Sequence, residues 1–397
     1  MEEKIELFKL EDKSEFEMGL EQGKAFQREI NHLYSDLTQS EELLASKPFL
    51  LPKFLFIKLV NSISSNKIKD AIKNNLPSQW EFLKGLKQGS ELDMKELLFL
   101  QAIDALGTEI NNYNMEELNI NLNYGECSAV GVSGDKSKTG NPLIIKNWDG
   151  PETLANYIFF RHIIPSAQGK YSTLSSGVYG LAGINNGINE KGLSIVYNYA
   201  HPEHIGDKGI PAMFLIREVL EKCTTVSEAI DIFKTYPRLG GANIMIGDQS
   251  GELVVLEMGP SKVIARQNTD NTQNYLISTN HYLSSEMKAR EIPRNAVYDE
   301  NAPFHIEGEP IHKSSLLRYQ AASSILKTDS PEKVSLNFLN TKIQQNHGPK
   351  NEPSRYTFCN HGPHISTGFG VMLDAKNRDF YAVYGKPCQR SMQKFSF

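Results

Sequence analysis

Up to about residue 120 apolar residues recur three and four positions apart, and from residue 127 they come in short runs punctuated by glycine and asparagine. The first pattern predicts helices over residues 15–30, 52–62, 68–74, 78–88 and 94–106. The second predicts short strands, with 128–132 and 142–145 joined by a glycine-containing turn and others at 193–197 and 253–256. Two helices interrupt the strands at 211–221 and 226–235, the second opening on a capping pair, Thr225 and Glu228. Residues 185–193 carry Asn-Gly and Lys-Gly steps and read as a hairpin. Residues 284–314, rich in charge and proline, read as a long surface connection and a candidate lid. Strands, a helical pair and strands again predict an α+β fold of sheets covered by helices.

The run 49–60 is the most lipid-like part of the chain, with aromatic and aliphatic residues among lysines; a buried amphipathic helix is expected there over a membrane-surface or acyl-chain contact. No apolar run reaches the roughly eighteen residues of a membrane span, so stable membrane insertion is not expected. The acidic start, Met1-Glu2-Glu3-Lys4, lacks the features of a secretory signal, and a cytoplasmic location is expected.

With 397 residues, 40% of them hydrophobic, the chain can bury a large core. Its net charge of −5 and lack of a basic block argue against nucleic acid and for a small-molecule substrate. Cys127, Cys223, Cys359 and Cys388 are widely spaced and form no CxxC or Cys/His cluster, so no metal is expected. Cys359 and Cys388 are expected as reduced buried thiols, with a pairing on neighbouring strands as the alternative. His347, His361 and His364 lie among prolines without helical spacing and are not read as ligands. No GxSxG, HExxH, P-loop or GxGxxG in a βαβ setting occurs.

The chemistry concentrates at Glu126-Cys127-Ser128 and Lys146-Asn147-Trp148-Asp149. These segments fall at the open end of the first predicted hairpin, which sets Cys127 and Asp149 side by side. A cysteine that becomes the first residue of a chain carries its own base, an α-amine with a reference pKa of about 7.7 to 8.0. Asp149 could hold and orient that ammonium. An oxyanion needs donors, and Asn280 and Asn198, each at a strand end, are candidates; each also reads as a turn asparagine. Arg318, opening an apolar helical pattern, reads as a holder of a carboxylate or as a solvated helix arginine.

Together these segments resemble the isopenicillin N acyltransferase family, a branch of the N-terminal-nucleophile hydrolases related to penicillin V acylase and bile salt hydrolase. The resemblance runs from Phe16-Glu17-Met18-Gly19-Leu20-Glu21-Gln22-Gly23 through Cys127, Asn147-Trp148-Asp149, Asn189-Glu190-Lys191-Gly192-Leu193 and Thr279-Asn280-His281 to Gly385-Lys386-Pro387-Cys388. It implies a four-layer αββα sandwich of two antiparallel sheets, self-cleavage between Glu126 and Cys127, and acyl transfer or hydrolysis on linear amides. Residues 1–126 are then a mostly helical pro-segment that stays bound to a catalytic domain, 127–397. Cys127 is implied as nucleophile, Asp149 as orienter of its amine, Asn280 as oxyanion donor, Arg318 as support and Asn198 as a further site residue. Lys146, Trp148 and Tyr197 are expected to contact substrate. No cofactor is implied, a coenzyme A thioester being a candidate acyl donor. Two departures stand out: Glu126 replaces the glycine ahead of the nucleophile, and Lys146 replaces an arginine of the hydrolases. An uncut, non-catalytic binding protein and a peptide hydrolase on the same scaffold remain the alternatives.

Overall fold

The computed structural model describes residues 4–106, 126–267, 274–298, 306–348 and 350–397. Residues 107–125 of the segment ahead of Cys127, and 299–305 of the 284–314 connection, lie outside the described residues.

The N-terminal segment opens with strand β1 (Phe8–Glu11) and continues through helices α1 (Glu15–Ala25), α2 (Gln27–Gln39), α3 (Glu41–Ala45), α4 (Lys53–Asn75), α5 (Pro77–Ser90) and α6 (Met94–Leu106). The helix expected over 15–30 breaks at Phe26, whose ring packs against Phe8, Phe159 and Tyr179. The helices expected at 52–62 and 68–74 are one, α4. Helices α1 and α5 cross in close contact because Gly19 and Gly23 face Gly85 and Gly89, each pair four residues apart on one helical face. A Cβ on Gly19 would lie 2.0 Å from the Phe82 carbonyl oxygen, and one on Gly85 1.9 Å from that of Phe16.

Beyond residue 126 come strands β2 (Glu126–Val132), β3 (Leu143–Pro151), β4 (Ile158–Ile164), β5 (Thr173–Val178), β6 (Asn186–Asn189) and β7 (Ser194–Tyr199). Helices α8 (Ala212–Lys222) and α9 (Val226–Thr235) follow, after a short α7 (Glu152–Ala155) between β3 and β4. The capping box at Thr225 and Glu228 is formed. Strands β8 (Ile210–Pro211) and β9 (Arg238–Leu239) pair with each other, and β10 (Ala242–Gly247), β11 (Leu253–Met258), β12 (Val263–Arg266) and β13 (Tyr275–Ser278) return to the sheets. The short α10 (Ser285–Lys288), helices α11 (Lys313–Thr328) and α12 (Leu336–Phe338), a π-helical turn (Leu339–Gln344) and strands β14 (Ile365–Asp374), β15 (Asp379–Tyr384) and β16 (Gln393–Phe395) follow.

Two sheets result. One has the order β1-β4-β5-β6-β7-β10-β11-β12 and the other β13-β2-β3-β14-β15-β16. The period-two alternation of β2 sends Ala129 into the core between the sheets, with Phe160, Val196 and Val371, and sends Val130 outward against Ala322 and Leu326 of α11. The outer face of the first sheet packs Ile163, Ile195 and Ile244 on Phe82, Leu97 and Phe214 of the helices. The layers are therefore helix, sheet, sheet, helix, as expected. Both sheets are antiparallel apart from the edge strand β1, which joins β4 in parallel.

The lipid-like run is corrected. Phe56 and Val60, four residues apart, are buried, but Phe49, Leu50 and Phe54 are 95%, 89% and 62% exposed. Phe49 and Leu50 lie in the turn ahead of α4, Phe54 is on its solvent side, and one stripe suffices to dock the helix. Among the described residues no helix is long and apolar enough to cross a membrane.

A buried charge cluster fixes the N-terminal helices to the rest. Arg217 of α8, fully buried, donates to Glu15 and to Glu221 at 2.6 Å each, and Lys170 bonds the same two carboxylates. The neighbouring carboxylates hold the Arg217 guanidinium well above its usual range despite burial.

Candidate active site

Strands β2 and β3 form the expected hairpin, with Val132 opposite Leu143 near the turn and Glu126 opposite Asp149 at the open end. Cys127 lies opposite Trp148, one position from the register expected. Because side chains alternate, Cys127, Lys146 and Trp148 face the first sheet, and Glu126, Ser128, Asn147 and Asp149 face α11 and the loops beside it. The ladder therefore separates the Cys127 and Asp149 side chains on opposite faces of one edge rather than setting them side by side.

Both peptide groups of Cys127 are held. Its N–H donates to Asn280 Oδ1 at 3.0 Å, and its carbonyl accepts from Arg318 Nη1 at 2.5 Å. Arg318, with no exposed surface, also donates to Ser128 Oγ at 2.6 Å, to Asn280 Oδ1 at 2.8 Å and, through Nε, to Ser314 Oγ at 3.1 Å. Helix α11 makes this possible, since Ser314 and Arg318 are four residues apart on one face and Ser315 Oγ accepts from the Asn280 N–H at 2.8 Å. The solvated-arginine reading of Arg318 is thereby replaced by a buried one.

Glu126 is anchored as firmly. Its carboxylate accepts from Ser314 Oγ at 2.6 Å and Asn360 Nδ2 at 3.3 Å, and stands 3.5 Å from Arg355 and 3.6 Å from Arg318. The charge ahead of the cysteine thus sits between two guanidinium groups.

The thiol is 1% exposed, and burial pushes its pKa up; Lys146 opposes this, Asp149 adds to it and Arg318 opposes it. Burial pushes the Lys146 ammonium down, offset by the adjoining Cys127 and by Asp104. Lys146 Nζ also donates to the Tyr197 carbonyl on the first sheet. Asp104, near the end of α6, is itself pushed up to about 6 by burial, with Lys146 opposing. Asp149 is fully buried; burial raises its pKa to about 7 against the pull of Arg318 and of the Thr367 hydroxyl, which donates to Oδ1 at 2.6 Å. Its Oδ2 has no hydrogen-bond partner among the described residues. Thr367 is aimed at Asp149 by a bulge: the register of β14 slips between Thr367 and Phe369, leaving Gly368 as the extra residue.

A cysteine gripped at both peptide groups by an asparagine and an arginine can be compared with known proteins. Residues 136–342, just over half of the chain, match the family described as acyl-coenzyme A:6-aminopenicillanic acid acyl-transferase. The chain belongs to this family. Lys146, Asp149, Asn198, Asn280 and Arg318 lie inside the matched span, and Cys127 lies nine residues before it. Among solved structures the chain is similar to the N-acylethanolamine-hydrolyzing acid amidase ortholog of Caenorhabditis elegans, with 17% identity over 63% of this chain and 93% of that one, at a TM-score of 0.40. It is similar to a mutant of conjugated bile acid hydrolase from Clostridium perfringens, with 14% identity over 68% and 97% of the two chains, at 0.40. It is also similar to penicillin V acylase from Agrobacterium tumefaciens, with 14% identity over 65% and 83%, at 0.37.

In this acyltransferase-family chain the other expected residues are placed as follows. Asn198 does not bond Cys127; its Nδ2 donates to the carbonyl and hydroxyl of Ser278, and its ladder partner Asn243 donates to the carbonyls of Thr279 and His281. The two asparagines thus brace the segment that carries Asn280. Asn280 Nδ2 donates to the Tyr199 carbonyl at 2.9 Å. Trp148 stacks on Phe369 and covers Gly150 and Gly368, where a Cβ would lie 2.2 and 2.7 Å from its ring. Tyr197 offers Lys146 its carbonyl, while its ring packs with the helical layer.

Several contributors went unseen in the sequence. Ser314, Ser315, Arg355, Asn360 and Thr367 lie far from Cys127 along the chain, and Asp104 lies 23 residues ahead of it; Ser314 and Ser315 stand near Arg318 and Asn360 stands between Cys359 and His361, but no local pattern ties any of them to Cys127. The expectation that the cysteines form no Cys/His cluster fails: His347, Cys359, His361 and Cys388 converge, with one ring nitrogen or sulfur of each within 4.8 Å of the others. Cys359 and Cys388 lie in loops, not on neighbouring strands, and folding unites residues whose spacing carries no signal.

Proposed function

We propose that the chain cuts itself between Glu126 and Cys127 and then cleaves or transfers the acyl group of a linear amide in a small N-acylated molecule. The observation that carries this reading is the double grip on Cys127, its nitrogen on Asn280 and its carbonyl on Arg318. Such a grip orders the peptide groups on both sides of the thiol for attack.

In the proposed processing step Cys127 Sγ adds to the Glu126 carbonyl carbon and the peptide C–N bond breaks. The departing nitrogen takes the thiol proton and becomes the α-amine. Water then hydrolyses the thioester, leaving the Glu126 carboxylate and a free thiol. In turnover the amine takes the thiol proton, sulfur adds to the substrate carbonyl, and the amine product leaves with that proton. Water or an acceptor amine resolves the thioester. A coenzyme A thioester, as in the family's description, is the candidate alternative donor.

The unpartnered Oδ2 of buried Asp149 is proposed to receive the new ammonium, a charge that would also pull its pKa down. Asn280 Oδ1 keeps the nitrogen oriented, and its NH2 group is the proposed oxyanion donor. Asn198 supports that strand end. Lys146 and Tyr197 are the proposed substrate-facing groups, with Trp148 as a wall. Residues 1–126 are proposed to stay attached, since they share the core and the Glu15 charge cluster with the rest.

A second reading, an uncut binding protein, is favoured by the four side chains that immobilise Glu126. Intact mass under denaturing conditions separates the two. Fragments 1–126 and 127–397, absent in Cys127→Ala, are expected, together with release of amine from N-acyl amides that the variant loses. Full turnover by folded Cys127→Ala would overturn the proposal.

A further inference from the structure

We infer that His347, Cys359, His361 and Cys388 form a four-ligand zinc site that staples three loops beside the Glu126–Cys127 peptide. The inference does not depend on the proposed cleavage, and all four residues lie outside the matched family span, which ends at residue 342.

The separations fit one small ion. With Zn–S of about 2.3 Å and Zn–N of about 2.0 to 2.1 Å, a tetrahedron has edges of about 3.8 Å between sulfurs and about 3.6 Å between sulfur and nitrogen. Cys359 Sγ lies 3.5 Å from Cys388 Sγ and 3.5 Å from His361 Nε2, and Cys388 Sγ lies 3.2 Å from His361 Nε2. His347 closes the set, its ring centroid 4.9 Å from that of His361 and nearly perpendicular to it. His347 Nε2 is buried and has no hydrogen-bond partner among the described residues. Two sulfurs and two imidazoles as a donor set favour zinc over the harder cations. Two thiolates also cancel the charge of a divalent ion, so the centre is neutral; binding releases one proton from each thiol.

The loops are shaped without the ion. The Cys359 N–H donates to the Asn346 carbonyl at 3.0 Å, which brings the 346–348 and 358–361 segments together, and the His361 N–H donates to the Ser354 carbonyl at 3.0 Å. The third loop leaves β15 through Gly385, at φ +74°, with its N–H on the Gly368 carbonyl at 2.7 Å. Cys359 and His361 are two residues apart, and between them Asn360 points the other way, to Glu126. An ion on one side of this segment would therefore hold Asn360 in place on the other.

The paired sulfurs could instead close as a disulfide, which needs an oxidant and an S–S distance of about 2.05 Å. The test is metal content of the tag-free, full-length protein purified under reducing conditions. About one zinc per chain is expected, retained in Cys127→Ala and falling below about one-tenth in Cys359→Ser and Cys388→Ser. Should those variants fail to fold, cobalt(II) added to metal-stripped wild type is expected to give the ligand-field bands of a tetrahedral ion and a thiolate charge-transfer band. Absence of both metals from reduced, folded wild type would overturn the inference. So would zinc retained in both serine variants, or a Cys359–Cys388 crosslinked peptide in protein that binds no metal.

Discussion

Replacing Asp149 with asparagine tests the electrostatics of the site directly. The change keeps the shape and an acceptor for the Thr367 hydroxyl while removing a fully buried group whose pKa burial raises from 3.8 to about 7. Because the folded-state value lies above the unfolded one, the unfolded chain loses its proton first as pH rises. The stability from keeping Asp149 protonated is thus complete below about pH 4 and lost as pH climbs through 7. The gap corresponds to at most about 4 kcal/mol. At about 2.1 cal/mol/K of unfolding entropy per residue, that is about 5 °C in the midpoint of a chain this long. The assay is thermal unfolding from pH 4 to 8.5 in a Cys127→Ala background, so that the chain stays whole. Asp149→Asn is expected to match its parent at the acid end and to rise above it by up to about 5 °C at the alkaline end. Asp104 and Glu291, raised by burial to about 6 and about 7, titrate in the same window but cancel in the difference. Parallel curves, or a variant less stable at pH 8.5, would refute the reasoning.

Arg318→Ala strands the Cys127 carbonyl, Asn280 Oδ1 and the Glu126 carboxylate; a loss of about 3 to 5 kcal/mol is expected, read as a lower unfolding midpoint together with loss of any self-cleavage. Arg318→Lys keeps the charge without the fork and should fall between. Gly85→Ala sets helix propensity against packing: the substitution favours an isolated helix by about 1 kcal/mol, yet its Cβ meets backbone at 1.9 Å, so a net loss of about 1 to 3 kcal/mol is expected. A denaturant midpoint that rises would show that α1 and α5 can separate without penalty.

What the sequence could reveal follows from how local each signal is. The β2–β3 hairpin was legible because its turn residues and alternating apolar positions lie within about twenty residues, and the capping box at Thr225 because it spans four. The one-position offset between Cys127 and Asp149 was not, since register depends on where the turn closes, and β3 runs on to Pro151. Arg318 could be singled out but not assigned, because both a buried and a solvated arginine can open an apolar helix. Thr367 owes its role to a bulge at Gly368, which one glycine in a strand does not announce. The Cys/His cluster draws on three loops spread over some forty residues, so no spacing rule could have found it. The exposed ring at Phe54 shows the converse limit: an apolar run has more hydrophobic surface than one docking face can cover.

Strand β1 pairs with β4, and Glu15 closes on Arg217 and Lys170, so residues 8–15 are built into parts made about 150 to 200 residues later. A cut before Cys127 would therefore change the number of chain ends without changing the number of particles. Gel filtration and native mass would register one body before and after, and the two pieces would behave as complementing halves that must be made, unfolded and degraded together.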